Sequence, residues 1–504
     1  MPVATDPERF AGQILERFLR HAAATPHAAA VMDETGELTY AALLAAAEEQ
    51  AARLSARGAR RGSRIAVESR YGTGYLVALL ATWLLEAAAV PLDPSAPAER
   101  RRYQIRQAGC DVAATGPASD GVVERTVAEV TAAPGDGRDP AAYILFTSGS
   151  TGAPKGVEIE HPALLNVLEY FVRALALRPG DRMLAHSNIV FDMSLPEMLM
   201  PLISGGTVAV TPPRSARNPE FFARWLRAHP VDAACATPSQ LRMLLPFLHG
   251  ERVFAKLISG GEALTAALAD DLRQVVGRLW NGYGPTETTV AAIITEVRPP
   301  YRDPMPIGRP ISGLGAHVLD ERRRPVPAGT VGELYLSGIG VARGYVGSPE
   351  LTSRVFVTAP GGGRMYRTGD LVRVGPDGQY YFHGRGDDQV KIRGNRVELG
   401  EIEAVAQRVP AVFQAVAVVS EALTDRPELY LAVSAVPGTS EADLRAPLRR
   451  LLPAYMQPRR VLFFDELPRN TSGKTSRLLV RGLVEERLKA GRPITQAHTE
   501  GRVT

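Results

Sequence analysis

The sequence predicts an α/β protein: a large N-terminal domain of mainly parallel sheets with a β-rich subdomain, then a small α+β C-terminal domain. Three observations predict it. Short apolar runs alternate with amphipathic helical stretches over the first 300 residues, the signature of parallel strands joined by helices. After about residue 300, Gly and Pro become dense and strand–turn patterns replace helices. Beyond Arg385-Gly386-Asp387-Asp388 a compact helix–strand–strand–helix pattern begins.

Each element has a local reason. The Ala/Leu-rich stretch Thr39 to Gly58 keeps its charges on one side and ends on Gly, so it predicts a helix. Arg64–Glu68 reads as a strand, Gly72–Glu86 as a second helix, and Ala88–Val90 opens another strand. Ala141–Phe146, Thr207–Val210, Ala233–Ala236 and Lys256–Ser259 continue the alternation. In the β-rich part, Gly315–Leu319, Glu333–Ser337, Leu371–Val374 and Gln379–Phe382 read as strands, with Asp377-Gly378 as a hairpin turn. The C-terminal pattern comprises helix Leu399–Arg408, strands Ala415–Val419 and Leu429–Ala435, and helix Ser440–Leu452. These shifts predict an N-terminal core over 1–386, its β-rich subdomain at about 300–386, a C-terminal domain over 387–490 and a polar tail over 491–504.

Composition excludes several function classes. The 504 residues carry 58 Lys+Arg against 54 Asp+Glu, a formal charge of +4 that is too thin for a nucleic-acid footprint. Two cysteines, Cys110 and Cys235, rule out a disulfide framework and any cysteine-based zinc or iron–sulfur site. None of the nine histidines forms a zinc-ligand pair. The longest apolar stretch, Tyr75 to Leu92, is broken by Glu86 and closed by Pro91, so it reads as a buried helix running into a strand rather than a membrane span. No secretory pattern opens the chain, and a cytoplasmic location is expected.

The most informative segment is YILFTSGSTGAPKGV, Tyr143 to Val157. An apolar strand runs into a loop with Gly149, Gly152 and Gly156, the hydroxyls of Thr147, Ser148, Ser150 and Thr151, and Lys155. Small residues let the backbone N–H groups converge on an anion, and Lys155 adds charge, so the loop has the make-up of a polyphosphate cradle. It is not a Walker A loop, because Pro154 stands five positions after Gly149; SGKT at Ser472–Thr475 fails too, with Pro468 where a glycine is required.

TSGSTGAPKG closely resembles the signature loop of the adenylate-forming enzymes, which include acyl-CoA synthetases, luciferases and the adenylation domains of nonribosomal peptide synthetases. Further motifs follow in the family's order: Leu38-Thr39-Tyr40 with Leu43, FDMS at Phe191–Ser194, NGYGPTETT at Asn281–Thr289 and GELYLSGIGVARGY at Gly332–Tyr345. YRTGDL at Tyr366–Leu371, GRGDDQVKIRGNRVELGEIE at Gly384–Glu403, LPAYMQP at Leu452–Pro458 and SGKTSR at Ser472–Arg477 complete the set. The resemblance spans about residues 35 to 480, and the wording of QVKIRGNRVELGEIE is similar to the amino-acid-activating branch.

The resemblance implies ATP and Mg²⁺ and two steps. A carboxylate attacks the α-phosphorus of ATP, releasing pyrophosphate, and a thiol then displaces AMP from the acyl-adenylate. It implies that Thr147, Ser148, Gly149, Ser150, Thr151 and Lys155 hold the β,γ-phosphates, that Glu287 helps bind Mg²⁺ and that Thr286 touches the α-phosphate. Tyr283 is expected against adenine, Asn281 at its amino edge, Asp370 on both ribose hydroxyls and Arg385 on the ribose side. Lys474 is expected to bridge substrate carboxylate and phosphate, and Lys391 to serve thioester formation. Asp387 matches a hinge, making the C-terminal domain a mobile lid. Plainer alternatives stand beside these: an Asp that only fixes its own turn at 370, a core aromatic at 283, a helix N-cap at Asp192. Glu401 and Glu403 read as surface helix charges.

Asp192 matches the position where amino-acid-activating members set a carboxylate against the substrate ammonium, and a buried carboxylate asks for a cation. The other matching positions are Met193, Pro196, Cys235, Ile258, Gly260, Gly282, Val290 and Ala291. Apart from Asp192 and Lys474 this lining is apolar, so a small or medium apolar α- or β-amino acid is expected. An acyl- or aryl-CoA ligase using free coenzyme A is the rival reading. No carrier-attachment motif follows Lys474, so the expected partner is a separate carrier protein with a phosphopantetheine arm, with no nucleic acid and no membrane.

Overall fold

The computed structural model describes residues 10–116, 122–130, 140–149, 153–216, 218–359, 362–387, 389–424, 426–468 and 475–490. The described residues fall into two compact units. The first draws on Met1–Pro94, Arg102–Phe146 and Gly156–Asp387; the second draws on Ser95–Arg101, Thr147–Lys155 and Asp388–Thr504.

In the first unit a six-stranded sheet includes Val112–Thr115, Arg64–Glu68, Ala88–Leu92 and Ala141–Thr147, which pair in parallel. Ala88–Leu92 is buried at every position, as a strand covered on both faces must be. The helix before it, Thr73–Leu84, is interior along most of its length. The apolar run from Tyr75 is therefore core, and no described helix is long and apolar enough to cross a membrane. Helix Tyr40–Ala56 buries Tyr40, Leu43, Ala47, Ala51 and Leu54, the 3–4 spacing of one face. Thr39 caps it by accepting from Ala42 N.

Among the described residues the second sheet has fourteen strands. Its parallel block runs Ala29–Asp33, Thr207–Val210, Arg182–Ala185, Val231–Ala236, Phe254–Gly260 and Val276–Tyr283. Ile293–Val297 then pairs antiparallel with Val276–Tyr283, and Pro306–Pro310, Tyr380–Arg385, Arg364–Val374, Val331–Gly338 and Leu314–Leu319 follow antiparallel. The change of texture near residue 300 is thus a change of strand direction inside one sheet. Hydrogen-bonded pairing continues past it, with an irregularity between Pro306 and Gly308, where a Cβ on Gly308 would stand 2.2 Å from Ile294 O.

The second unit holds a three-stranded sheet of Val412–Ser420, Glu428–Ala435 and Arg460–Phe463, with helices Leu399–Ala406, Glu441–Leu451 and Arg477–Lys489. Its middle strand sorts side chains by parity. Leu429, Leu431 and Val433 pack with Ile402, Leu444 and Leu448, while Tyr430 and Ala432 pack with Val480 and Val484. Ser440 caps its helix through a reciprocal pair with Asp443. A two-stranded hairpin, Gln389–Ile392 with Asn395–Glu398, precedes this body.

His161 opens helix His161–Ala174, buried edge-on against Trp83 with ring centroids 5.2 Å apart. Burial pulls its imidazole from 6.5 down to about 4. The unfolded chain therefore takes up this proton first as pH falls. The contribution is intact above pH 6.5 and is lost progressively toward pH 4, by about 3 kcal/mol. Urea unfolding across that range measures it, and His161→Gln is expected to flatten this part of the acid limb; an unchanged slope would count against His161.

Candidate active site

Strand Val276–Tyr283 delivers NGY to its C-terminal end, where open α/β sheets place ligand sites. Asn281 is buried and its Nδ2 donates to Pro306 O at 2.7 Å. The Tyr283 hydroxyl donates to Asp370. Burial pushes that phenol well above its ordinary range, and the Asp370 charge adds to the shift. Asp370 also accepts from Arg385. Its own turn is fixed by Thr368, whose Oγ1 accepts from Asp370 N at 3.0 Å, so the Asp370 carboxylate stays turned to Tyr283 and Arg385. Gly369 lies at φ +75°, and a Cβ there would stand 2.7 Å from Asp387 Oδ2. Arg385 donates from Nε and Nη2 to the two oxygens of Asp387, at 2.6 and 2.7 Å, and from Nη2 to Thr368 O at 3.0 Å. Asp370, Tyr283, Arg385 and Asp387 are thereby one hydrogen-bonded group.

A short 3₁₀ turn, Thr286–Thr288, follows. Glu287 is 0 % exposed; the Tyr345 hydroxyl donates to it at 2.7 Å, and Ala342 N donates to its backbone carbonyl. Thr289 and Val290 both adopt left-handed φ, +63° and +67°. Such backbone costs on the order of 1–3 kcal/mol per residue and persists where the surroundings impose it. Here Thr289 Oγ1 donates to Gly340 O at 2.8 Å. Tyr345, to which the resemblance assigns no role, closes the GELYLSGIGVARGY motif.

Thr286 Oγ1 donates to Asp192 Oδ2 at 2.7 Å. The residue before helix Ser194–Ser204 is Met193, and no side chain caps it. Asp192 is therefore not its N-cap, and its half-buried carboxylate meets Thr286 instead. Its charge is felt at the buried Tyr143 hydroxyl, which burial first and Asp192 second push well above the ordinary range. Of the other expected pocket residues, Cys235, Ile258, Val290 and Ala291 are buried in one apolar cluster with Met193 packed against it. Cys235 pairs with Ile258, and Gly260 with Gly282, across neighbouring strands. A Cβ on Gly260 would stand 3.2 Å from Gly282 O and 3.7 Å from Met193 Cε. Pro196 is buried inside its helix.

In the second unit, Thr147 and Ser148 open the expected phosphate loop. Ser148 Oγ donates to Arg396 O at 3.0 Å, and Gly149 N donates to Glu401 at 3.3 Å. A Cβ on Gly149 would collide with Ala153 O at 1.8 Å, so position 149 requires glycine. Lys155 Nζ lies 3.9 Å from Glu398. Lys391 sits in hairpin strand Gln389–Ile392, in register with Arg396. Ser150, Thr151 and Lys474 lie outside the described residues. Two expectations are corrected. Glu401 is not a surface charge: it is 1 % exposed and pairs with Arg100 at 2.7 Å. Glu403 pairs with Arg477 and accepts from Ala417 N at 2.9 Å.

Among the described residues no group of three or more His, Cys, Asp or Glu is arranged to hold a metal ion. A magnesium ion that takes most of its ligands from phosphate and water needs no such group.

The family described as AMP-binding enzyme matches residues 18–346, and the AMP-binding enzyme C-terminal domain matches 401–474. The chain is 38% identical over 508 residues to phosphinothricin tripeptide synthetase PhsC of Streptomyces viridochromogenes, covering 94% of this chain and 45% of that protein. It is 34% identical over 484 residues to a dimodular nonribosomal peptide synthase of Bacillus subtilis, covering 92% of this chain and 20% of that one. The chain thus spans less than half the length of either relative. Among solved structures, an NRPS protein containing adenylation and PCP domains, bound to a vinylsulfonamide inhibitor, superposes with a TM-score of 0.80 at 28% identity. That match covers 94% of this chain and 84% of the other. The chain belongs to the AMP-binding enzymes, the adenylate-forming ligases whose members include the adenylation domains of nonribosomal peptide synthetases.

Proposed function

We propose that this chain activates an amino acid as its aminoacyl-AMP and transfers it to the phosphopantetheine thiol of a separate carrier protein. In the first step the substrate carboxylate oxygen bonds to the α-phosphorus of ATP as the bond to pyrophosphate breaks. In the second, sulfur bonds to the acyl carbon, the thiol gives up its proton and AMP leaves with the electron pair of the broken C–O bond. In this reading 1–386 is the adenylating core and 387–490 a lid hinged at Asp387. The working setting is the cytoplasm, where free ATP and Mg²⁺ are at hand.

The observation that carries the amino-acid reading is Asp192, a half-buried carboxylate beside an apolar cluster, bonded to Thr286. A carboxylate removed from water gains most from a cation, and an α- or β-ammonium supplies one. The apolar neighbours Met193, Cys235, Ile258, Val290 and Ala291 suit a small or medium apolar side chain. Asp370 offers carboxylate oxygens for a ribose diol, with Arg385 and Tyr283 keeping it aimed. Bound Mg²⁺ would offset phosphate charge, and Glu287 is the residue that would hold it. The sequence similarity to peptide synthetases and the structural likeness to an adenylation–PCP protein support this partner chemistry.

A pyrophosphate-exchange panel tests it, run over α- and β-amino acids, the same acids lacking the amine, and aryl acids. Exchange concentrated on one apolar amino acid, followed by loading of a carrier protein in trans, is the expected result. Exchange with simple acids and transfer to free coenzyme A would replace the reading with a CoA ligase. No exchange with any carboxylate would leave a binding protein.

A further inference from the structure

We infer that Glu197 is a positioning residue for amine recognition, holding the segment that presents Asp192; this rests on the amino-acid reading above. Glu197 stands in the first turn of helix Ser194–Ser204 and is 0 % exposed. Burying a carboxylate that completely is costly unless donors surround it. The donors here come from one place. His186 N and Ser187 N each donate to Oε2 at 2.9 Å, and Ser187 Oγ donates to Oε1 at 2.6 Å. Residues 186 and 187 are where strand Arg182–Ala185 ends and the segment leading to Phe191-Asp192-Met193 begins. One side chain thereby ties the two ends of a twelve-residue turn, 186 to 197, that carries Asp192 near its apex.

The rest of the turn is fixed from within. Phe191 N donates to Asn188 O at 2.9 Å, Leu195 N to Asp192 O at 3.1 Å, and Ser194 Oγ to Phe191 O at 2.8 Å. Asn188 Nδ2 anchors the same segment to Asp93 at 2.6 Å. The tie also reaches a second pocket position. His186 Nε2 lies 3.8 Å from Glu197 Oε1 and 2.8 Å from Cys235 O, at the end of strand Val231–Ala236. The Glu197 charge helps burial hold the Cys235 thiol well above its ordinary range. A leucine would fill the interior of this helix at lower cost. The carboxylate is explained by its donors, which all lie on the segment it must hold still.

Glu197→Gln keeps the shape and turns an amide NH₂ or a single carbonyl toward two backbone N–H groups. Weakening charge-assisted hydrogen bonds of this kind is expected to raise the amino-acid KM about tenfold or more, with the ATP KM within about twofold. The preference for the amino acid over its amine-free analogue should shrink by a similar factor. Glu197→Asp retains the charge on a shorter arm and should fall between the two. If Glu197→Gln does not fold, the same measurements on Glu197→Asp carry the test. Wild-type values for the amine preference or amino-acid KM would overturn the inference. So would ATP and amino-acid KM rising together, the mark of a merely structural residue. A wild-type enzyme with no amine preference would overturn the amino-acid reading first, and this inference with it.

Discussion

Lys474→Ala is expected to cut amino-acid-dependent pyrophosphate exchange about 10²–10³-fold, the loss typical of removing one group aimed at transition-state charge. The reacting oxygen and the α-phosphate are both anionic, and a point charge between them is worth most as negative charge gathers there. ATP affinity should change little, because Asp370, Arg385 and Tyr283 hold one another and Asn281 is held by Pro306 O. Lys391→Ala is the paired control. Lys391 sits in a hairpin of the second unit, and its loss is expected to spare exchange while slowing thioester formation. Equilibrium nucleotide binding, exchange and carrier loading on the same preparations separate the two lysines. Equal losses in both half-reactions for both variants would sink the division of labour.

Asp192→Asn is expected to lower kcat/KM for the amino acid about 10²–10³-fold, the range for leaving a desolvated charge without its partner. Asparagine keeps the volume and can still accept from Thr286, so the Thr286–Asp192 bond at 2.7 Å is conserved while the charge is removed. The amine-free analogue should be unaffected or improved, so the specificity ratio inverts. Exchange rates with the matched pair of acids measure it. A parallel loss on both acids would show that Asp192 shapes the pocket without reading the amine.

Much of the fold was legible because local rules and global packing agree. Thr39 and Ser440 announce their helices and cap them. Arg64–Glu68 and Thr207–Val210 stand where their apolar runs place them, because strands with both faces covered leave no polar alternation to misread. The continuity of the fourteen-stranded sheet was not legible. A parallel block and an antiparallel block differ in composition, but nothing local reveals that they share hydrogen bonds. Glu401 and Glu403 were misjudged for a related reason. Their partners Arg100 and Arg477 stand 301 and 74 positions away, beyond any periodicity a helix shows on its own. The candidate site was legible as a set of residue types in order. Its cross-links were not, because Tyr283–Asp370, Tyr345–Glu287 and Thr286–Asp192 each join segments far apart in the chain.

Arg385 is one cation serving two carboxylates, Asp370 inside the site and Asp387 at the end of the first unit. A guanidinium has five N–H donors in a fixed plane, so what it gives to one acceptor constrains what it can give to another. A ligand that drew Arg385 away from Asp370 would therefore change what it gives Asp387 as well. Linkage makes the traffic two-way: the factor by which that ligand alters the hold on Asp387 equals the factor by which the state of Asp387 alters the ligand's affinity. On the hinge reading proposed above, occupancy at residue 370 and freedom at residue 387 would be two readings of a single equilibrium, joined through one shared side chain.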